Sequence, residues 1–295
     1  MPRSLTNLAA LSRLFSSTVF RELATKGASP LFARLFRETE LYGSVSLQEN
    51  VATCFERAFS LLCRTGSRDE YVYRAALTHN VLLGRHSLAT ASMLTEFRVG
   101  KCRADLAILN GTATAYEIKS ERDSLQRLNR QINSYRAVFP KVYVIAAAEH
   151  VGDVLECSPT DVGVMRLDRR GSISTVRDAK ERLDLLDVLK IFEALRQDEA
   201  KAVLGDMAVQ LPPVPNTIMH ATMRELFAKL DAEDVHRRMV TVLKRSRSLA
   251  PLGDLVAQLP RSLRPAALSI GIRKIDHARL VGATRLSLGA ALTWA

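Results

Sequence analysis

The chain has 295 residues, 47% of them hydrophobic and 25% charged, and these proportions exclude a disordered or low-complexity protein. It contains no run of about 18 uncharged apolar residues, so the sequence predicts no membrane span. Lys and Arg outnumber Asp and Glu by 42 to 31, which gives a net charge of +11 and a pI near 9.8. This excess of positive charge predicts a polyanionic partner, most often nucleic acid.

The first 66 residues are predicted to form three helices, over residues 5–26, 30–40 and 47–64. Ser29 can cap the second helix, and Pro30 suits its first turn. Residues 1–20 contain arginines and serines but no acid, which is also the composition of a mitochondrial transit peptide. We favour an ordinary amphipathic helix, because a cleaved presequence would not need to continue into a capped helical hairpin.

Residues 70–147 change from helix to short strands and back. The predicted elements are a helix over 70–88, strands over 95–99, 103–109 and 113–119, a helix over 124–139, and a strand over 142–147. We therefore predict an antiparallel three-stranded meander, a crossover helix, and a last strand that pairs in parallel. A further hairpin is predicted to join 162–167 to 173–176 around residues 169–171. The chain from 179 onward is mostly helical, with a break at 211–215.

These elements predict an α/β fold of the α+β type in three regions. The regions are a helical N-terminal part (1–66), an α/β core (67–178) and a mainly helical, basic C-terminal part (179–295). The four cysteines form no CxxC pair and no zinc-ligand spacing. We expect them to be free thiols in a reducing cytoplasm.

The first hairpin of the meander has Gly100-Lys101 at its tip. A two-residue turn at this point pairs Val99 with Cys102 and places Glu96 opposite Asp105.

The second hairpin has a register that hydrophobic patterning selects. A two-residue Asn110-Gly111 turn would mix Glu117 and Lys119 into an apolar surface, which a buried face forbids. A three-residue loop with a glycine bulge, over Leu109-Asn110-Gly111, avoids this conflict. It places the apolar residues of both strands on one face: Ala104, Leu106, Ile108, Tyr116 and Ile118. The polar residues then share the other face: Asp105, Glu117 and Lys119.

Three carboxylates close together would repel one another unless a cation lies among them. Oxygen ligands from Glu96, Asp105 and Glu117 suit Mg²⁺ or Mn²⁺. Such an ion can activate water and neutralise charge on a phosphodiester, and Lys119 at the edge could hold the water or the oxyanion. The alternative is that these residues are solvated side chains on the exposed face of a hairpin.

The motif residues resemble those of the PD-(D/E)XK nuclease superfamily. Asp105 is followed on the next strand by Glu117-Ile118-Lys119, and then by a helix. Gln131 and Tyr135 on that helix match the Gln-x3-Tyr motif of the RecB-like and lambda-exonuclease-like branch. Several stretches are also similar to an uncharacterised bacterial and phage family of this superfamily: 95–99, 103–106 and 116–120. The proline of the superfamily's name is replaced by Ala104.

The resemblance implies a restriction-endonuclease-like αβββαβ core with helical additions at both ends. It further implies that Asp105 and Glu117 bind Mg²⁺ or Mn²⁺, that Lys119 is catalytic, and that Gln131 and Tyr135 orient the active site or the nucleic-acid backbone.

Many superfamily members have an additional acid on the first helix. In this chain the nearest residue to that position is Glu70. Strand pairing instead favours Glu96 as the third metal ligand, and a surface acid on an edge strand is the alternative for Glu96.

Two groups of basic residues are candidate contacts with nucleic-acid phosphates. The first lies beside the predicted site, with two residues on the carboxylate face of the sheet and two on the crossover helix: Arg98, Arg103, Arg127 and Arg130. The second belongs to the basic segment 235–274: Arg237, Arg238, Lys244, Arg245 and Arg247. A solvated helix face is the alternative for the helix arginines, and an interface with another subunit is the alternative for the second group.

The leading hypothesis is a Mg²⁺- or Mn²⁺-dependent nuclease that hydrolyses DNA phosphodiester bonds in phage defence, prophage biology or repair. Two alternatives are a catalytically silent nuclease-like subunit that binds nucleic acid, and a helical scaffold that regulates a neighbouring protein. The choice between endonuclease and exonuclease, and between DNA and RNA, stays open at this point. So does assembly into an oligomer or with a partner protein.

Overall fold

The computed structural model of the chain describes residues 5–64, 66, 68–168 and 171–294. Its α-helices up to the end of the sheet are α1 (Leu5–Leu14), α2 (Ser17–Lys26), α3 (Pro30–Arg37), α4 (Val51–Leu62), α5 (Glu70–Leu77), α6 (Leu83–Arg85), α7 (Leu128–Arg136) and α8 (Val151–Cys157). The helices that follow are α9 (Val188–Ala194), α10 (Gln197–Asp206), α11 (Asn216–Phe227), α12 (Ala232–Ser246), α13 (Gly253–Gln258), α14 (Arg264–Ser269), α15 (His277–Arg285) and α16 (Leu288–Leu292).

Six strands form a single sheet in sequential order: β1 (Ser92–Val99), β2 (Cys102–Leu109), β3 (Ala113–Lys119), β4 (Lys141–Ala146), β5 (Gly163–Leu167) and β6 (Ile173–Arg177). The pairs β1–β2, β2–β3 and β5–β6 are antiparallel, and β3–β4 and β4–β5 are parallel. The mixed α+β class, the meander, the crossover helix α7 and the parallel strand are therefore confirmed.

The predicted register of the first hairpin is confirmed, and the second hairpin has the predicted three-residue loop shifted by one residue, to 110–112 from the predicted 109–111. Val99 lies opposite Cys102 across the first hairpin. In the second hairpin Leu109 lies opposite Ala113, which leaves a three-residue loop over 110–112. Gly111 has φ +121° in that loop, a conformation that favours glycine.

Contacts divide the chain into two compact units. The helical unit contains the described residues up to 81, residues 171–172 and residues 251–294. The sheet unit contains residues 82–168 and 173–250. These units do not coincide with the three predicted regions, because helices α9–α12 belong with the sheet and the last 45 residues belong with the N-terminal helices.

The N-terminal helices of the helical unit begin where polar residues cap them. The helix predicted over 5–26 is divided into α1 and α2, because the Ser16 hydroxyl caps α2 by accepting a hydrogen bond from the Val19 amide. Ser29 caps α3 as predicted, and its hydroxyl accepts from the Phe32 amide at 3.0 Å. In the same unit, α15 packs against α2.

In the sheet unit, α7 and the helices α9–α12 cover one face of the sheet. Small residues such as Ala107 and Ala115 on the strands allow close approach of Ile132 and Tyr135 on α7. This packing places the side chains of α7 directly above β2 and β3.

The segment 148–161, which has no predicted element, contains α8 and connects β4 to β5 in parallel. Arg177 at the end of β6 holds this connection, since its guanidinium donates to the Val162 carbonyl at 2.7 Å and to Ser158 Oγ at 2.5 Å. The predicted hairpin of β5 and β6 is confirmed, although residues 169 and 170 of its predicted turn lie outside the described residues.

The four cysteines are all within the described part of the chain, and each is a free thiol. The structure also has, among the residues it describes, no helix with the length and apolar character needed to cross a bilayer.

His236 on α12 predicts a pH dependence of stability. Its side chain is 2% exposed, and burial lowers its pKa to about 4. As the pH falls below about 6.5, His236 takes up a proton in the unfolded chain but stays neutral in the folded chain. Stability is therefore lost between pH 6.5 and about 4. We expect this residue to account for a loss of about 3 kcal/mol at the lower limit.

Urea denaturation of the native chain and of His236→Leu between pH 7 and 4 measures this effect. The variant should lose less stability over that range, whereas replacement of the exposed His220 by Gln should leave the slope unchanged. Parallel slopes for the native chain and His236→Leu would contradict the assignment.

Candidate functional site at the fork between two strands

The candidate site lies where β2 and β3 separate. Their ladder ends at the pair Leu106–Tyr116. Beyond that pair, the Oδ2 atom of Asp105 accepts a hydrogen bond from the backbone amide of Ile118 at 2.7 Å. A carboxylate thus replaces a backbone carbonyl as the acceptor, and the two strands diverge around it.

Glu96 lies opposite Asp105, as the register predicts, although the two residues do not form a ladder pair. Its φ is +53°, in the left-handed region that favours glycine, and this conformation turns the backbone out of the ladder. Carboxylate oxygens of Glu96 and Asp105 lie within 4.8 Å of each other. Two of the three predicted metal ligands are therefore close together.

The turn of the backbone at Glu96 changes which residues face α7. Leu94 faces the core before it, and Phe97 and Val99 face the same core after it, so strict alternation is broken. Their partners on β2 change face in the same way. The prediction that Ala104 shares a face with Leu106 and Ile108 is therefore wrong, because Ala104 packs in the core that contains α7.

Arg98 and Arg103 also depart from the predicted face. Both are exposed, and the Arg103 guanidinium lies 4.0 Å from the Glu96 carboxylate. With Phe97 and Ala104 turned toward α7, these two arginines point away from that helix instead of sharing the Glu117 face.

Glu117 is the centre of a buried network. Its side chain is 1% exposed and that of Lys119 is 6% exposed. Lys119 Nζ donates to Glu117 Oε1 at 2.8 Å and to Gln131 Oε1 at 3.1 Å. Gln131 Nε2 donates to the same Glu117 oxygen, and Tyr135 Oη lies 2.8 Å from Glu117 Oε2. Residues at i and i+4 of α7 therefore hold one carboxylate of β3.

Tyr135 also contacts the backbone of β2. Its hydroxyl lies 2.5 Å from the Arg103 carbonyl as well as 2.8 Å from Glu117. A hydroxyl has one proton, so the two acceptors share or exchange it. This contact fixes α7 to β2 and β3 together, on the side of the fork where they diverge.

The electrostatics of the network follow from its burial. Desolvation raises the pKa of Glu117, and the Lys119 ammonium with the hydrogen bonds from Tyr135 and Gln131 opposes that rise. Burial and the neighbouring Glu117 raise the pKa of Tyr135, so its hydroxyl stays protonated. A buried ion pair costs several kcal/mol in desolvation, and its Coulomb attraction offsets this cost only with good geometry.

The oxygen atoms at the fork fit a hard divalent cation. Two carboxylate oxygens accept about four hydrogen bonds, and Lys119, Gln131 and Tyr135 occupy three of these positions on Glu117. One acceptor position remains on Glu117 Oε2. Asp105 and Glu96, whose carboxylate oxygens lie within 4.8 Å of each other, likewise offer only oxygen donors, which is the chemistry that Mg²⁺ and Mn²⁺ prefer.

Glu70, the other candidate for the additional acid, is the first residue of α5 in the helical unit. Its carboxylate accepts a hydrogen bond from Arg74, one helical turn further on. This ion pair is a common arrangement on a helix surface.

The remaining predicted arginines of the first group lie at the start of α7. Arg127 is the N-terminal flanking residue of this helix, and Arg130 precedes Gln131 directly. Both side chains are exposed. They are therefore available to phosphates beside the network.

The five predicted basic residues of the second group lie on α12 or just after it. Arg237 pairs with Asp234 and Glu233, and Arg245 lies 3.4 Å from Asp206. Arg238 is exposed, and Lys244 is half-buried.

Arg247 differs from the rest of that group. Two of its nitrogens each lie 2.7 Å from a carboxylate oxygen of the buried Glu199, and its guanidinium stacks over Phe97 at 5.4 Å. These contacts hold it inside the sheet unit.

Two contacts could not be found by reading motifs: that of the Arg103 carbonyl with Tyr135 in the network, and that of Glu199 with Arg247 beside the sheet. The Arg103 carbonyl has no side-chain signature, and Glu199 and Arg247 are 48 residues apart in sequence. The only sequence signal for that pair is one acid in the amphipathic pattern of α10.

Comparisons with known proteins show that this chain is similar to a phage protein. The model of the family described as bacteriophage P4 protein cII matches residues 64–250, a range that contains all six strands and the whole fork. Protein cII of Enterobacteria phage P4 is 27% identical over 176 residues, which cover 58% of this chain and 65% of that protein. The chain thus matches just under two thirds of that relative's length.

A solved structure, the SPO1766 protein of unknown function from Silicibacter pomeroyi, is 18% identical. The match covers 46% of this chain and 88% of that chain, with a TM-score of 0.31.

Removal of the Lys119 ammonium should destabilise the fold. We expect Lys119→Met to lower the free energy of unfolding by about 3–5 kcal/mol, because it leaves the Glu117 carboxylate buried without its cation. The double variant Glu117→Gln with Lys119→Met should recover most of this loss, since no charge is then buried. Urea denaturation measures both, and a double variant as unstable as the single one would contradict the pairing.

Glu96→Gly should stabilise the fold by about 1 kcal/mol, because glycine adopts a positive φ without the steric cost of a Cβ. Glu96→Ala is the matched control: it removes the same carboxylate but keeps the Cβ, so it should give no stabilisation. Thermal melting of the three chains distinguishes the two effects. Equal melting temperatures for the Gly and Ala variants would show that no strain is stored at this residue.

Proposed function

This chain belongs to the bacteriophage P4 protein cII family, and we propose that it is a metal-dependent nuclease that hydrolyses phosphodiester bonds of DNA. The observation that carries the proposal is the buried network of Glu117, Lys119, Gln131 and Tyr135 beside Asp105. Burying an ion pair is costly, and an apolar pair of similar volume would stabilise the fold at least as well. A role of Glu117 and Lys119 in catalysis would account for this cost.

The order of elements supports the same interpretation. A helix, three antiparallel strands, a crossover helix and a parallel strand follow one another from α5 to β4. The superfamily whose motifs these residues resemble has an αβββαβ core with the same order of elements. We propose a PD-(D/E)XK-type core on this basis, with the acids at the point where β2 and β3 diverge.

In this proposal Asp105 and Glu117 hold Mg²⁺ or Mn²⁺, and Glu96 is the additional acid. When bound, the ion would supply Lewis acidity and neutralise charge on the phosphodiester. Lys119 has three N–H groups, of which Glu117 and Gln131 take two. The third is available to orient the attacking water or to stabilise the charged phosphoryl oxygen.

Gln131 and Tyr135 act as positioning residues in this scheme. Gln131 holds both Glu117 and Lys119 through one amide group, and so fixes the distance between acid and amine. Tyr135 fixes the other oxygen of Glu117. These contacts fix the orientation of the remaining acceptor position on Glu117 Oε2.

A second candidate function is a catalytically silent subunit that binds nucleic acid. The near-complete burial of Glu117 and Lys119 favours it, because a reacting phosphate must reach one face of these groups. This subunit would retain the network as a structural element and bind DNA through exposed arginines such as Arg127 and Arg130. It would show salt-sensitive binding without turnover.

A cleavage assay distinguishes the two functions. The purified chain is incubated with linear duplex, circular, single-stranded and branched DNA, and with RNA, in Mg²⁺ or Mn²⁺. We expect metal-dependent cleavage that falls by about 100-fold or more in Asp105→Asn, Glu117→Gln and Lys119→Gln, because each removes a metal ligand or the positioned amine. Cleavage of circular DNA would identify an endonuclease.

Asp198→Asn on the exposed surface of α10 is the matched control, since it also removes one carboxylate but should leave cleavage unchanged. Circular dichroism of each variant confirms that the fold is retained. Undiminished cleavage in all three site variants would remove the assignment of the site, and binding without cleavage of any substrate would favour the silent subunit. Comparison of the cleavage rates of Glu70→Gln and Glu96→Gln identifies which residue is the additional acid.

A further inference from the structure

A groove of about 860 Å³ lies on the sheet unit beside the network, between the β1–β2 turn, α7 and α9. The α7 side contributes Arg130, Asn133, Ser134 and Ala137, which follow one helix face for about 10 Å. Arg130 is adjacent to Gln131 in sequence, and Cys102 in the groove is adjacent to Arg103, whose carbonyl contacts Tyr135. Two residues that line the groove are therefore sequence neighbours of residues in the network.

One wall of the groove is basic. Lys101 at the tip of the turn and Arg130 at the start of α7 are both exposed. Within the part of the chain that the structure describes, neither side chain has a carboxylate at ion-pair distance. Arg127 precedes Arg130 by three residues, so it extends the same helix face toward the fork. This wall can hold consecutive phosphates.

The opposite wall, on α9, has a different character. It contains Asp187, Lys190 and Glu193, all of them exposed. Asp187 caps α9 by accepting from the amides of Leu189 and Lys190, and Lys190 lies 3.1 Å from Glu193. These carboxylates would repel a second line of phosphates, but they can accept hydrogen bonds from base amino groups.

Asn133 and Ser134 on α7 offer polar groups between the basic residues and α9. The exposed Asn133 amide can hydrogen-bond to the edge of an unpaired base, and the Ser134 hydroxyl, which donates to the Arg130 carbonyl at 3.0 Å, can accept a hydrogen bond from it. In a duplex these edges are paired with each other and point inward. A groove with phosphate-binding groups on one wall and base-binding groups on the other fits one strand.

We propose that this groove binds a single-stranded polynucleotide, with its phosphates on Lys101 and Arg130 and its bases toward α9. The inference rests on the proposed function, since it names the strand form that reaches the fork. The sugar–phosphate chemistry is common to DNA and RNA. The basic face of α12 is a competing surface, but its Arg237 and Arg245 already contact Asp234 and Asp206.

Equilibrium binding tests the groove independently of cleavage. Fluorescence anisotropy of a labelled oligonucleotide is measured with the full chain carrying Asp105→Asn, in EDTA, so that no turnover occurs. Single-stranded DNA should bind at least about tenfold more tightly than a duplex of the same length. Arg130→Glu and Lys101→Glu should each weaken single-strand binding by about tenfold. Each should also reduce the salt slope by about 0.7.

Two further variants complete the design. Asn133→Trp fills the groove without changing charge and should weaken binding by a similar factor. Arg224→Glu on the exposed surface of α11 is the charge-matched control and should bind as the parent chain does. Single-stranded RNA of the same sequence in a parallel titration shows which polynucleotide is preferred.

The outcomes separate this inference from the proposed function. Loss of binding in the groove variants without cleavage in any assay would support the groove and reject the nuclease. Metal-dependent cleavage with unchanged KM in Arg130→Glu, Lys101→Glu and Asn133→Trp would reject the groove and support the nuclease. Tighter binding of duplex, or loss of binding only in Arg238→Glu on α12, would also overturn the inference.

Discussion

The site depends on one constraint: the buried carboxylate of Glu117 accepts hydrogen bonds from three side chains. Lys119 comes from the same strand, whereas Gln131 and Tyr135 come from the crossover helix, so the carboxylate joins β3 to α7. Because an unpaired charge in this interior would be costly, the helix has one favourable position along the sheet. The packing of small residues beneath α7 and the hydrogen-bonding of this carboxylate select the same position.

The fork between β2 and β3 forms because a side-chain acceptor takes the place of a backbone carbonyl. Asp105 provides the acceptor for the Ile118 amide, and Glu96 leaves the ladder of β1 at the opposite residue. Both changes occur at one level of the sheet, where they turn the hairpin tip toward α7. The exposed acids and the buried network are consequently neighbours along the strands but differ in solvent access. In the proposed nuclease, this gradient leads a phosphate from solvent to the fixed amine.

Hydrophobic patterning was sufficient to predict much of this arrangement. It placed β3 at residues 113–119, selected the three-residue loop, and put Gln131 and Tyr135 on one helix face, because these features depend on local periodicity. It could not predict the positive φ of Glu96, since glutamate has no preference for that conformation, and the error for Ala104 follows from that residue alone. The connection through α8 and the pairing of Glu199 with Arg247 depend on long-range contacts that no local pattern encodes.

The contact of Arg247 with both Glu199 and Phe97 limits where this chain can be shortened. The arginine joins the end of α12 to α10 and to β1, and its partner Phe97 on β1 is about half of the sequence away from it. A chain ending after β6 would expose the aromatic ring of Phe97 and the core beneath α9, and one ending before Arg247 would leave the Glu199 carboxylate buried without its cation. The strands of the candidate site and the helices α9–α12 therefore belong to one compact unit, and the basic helix α12 helps to support the sheet.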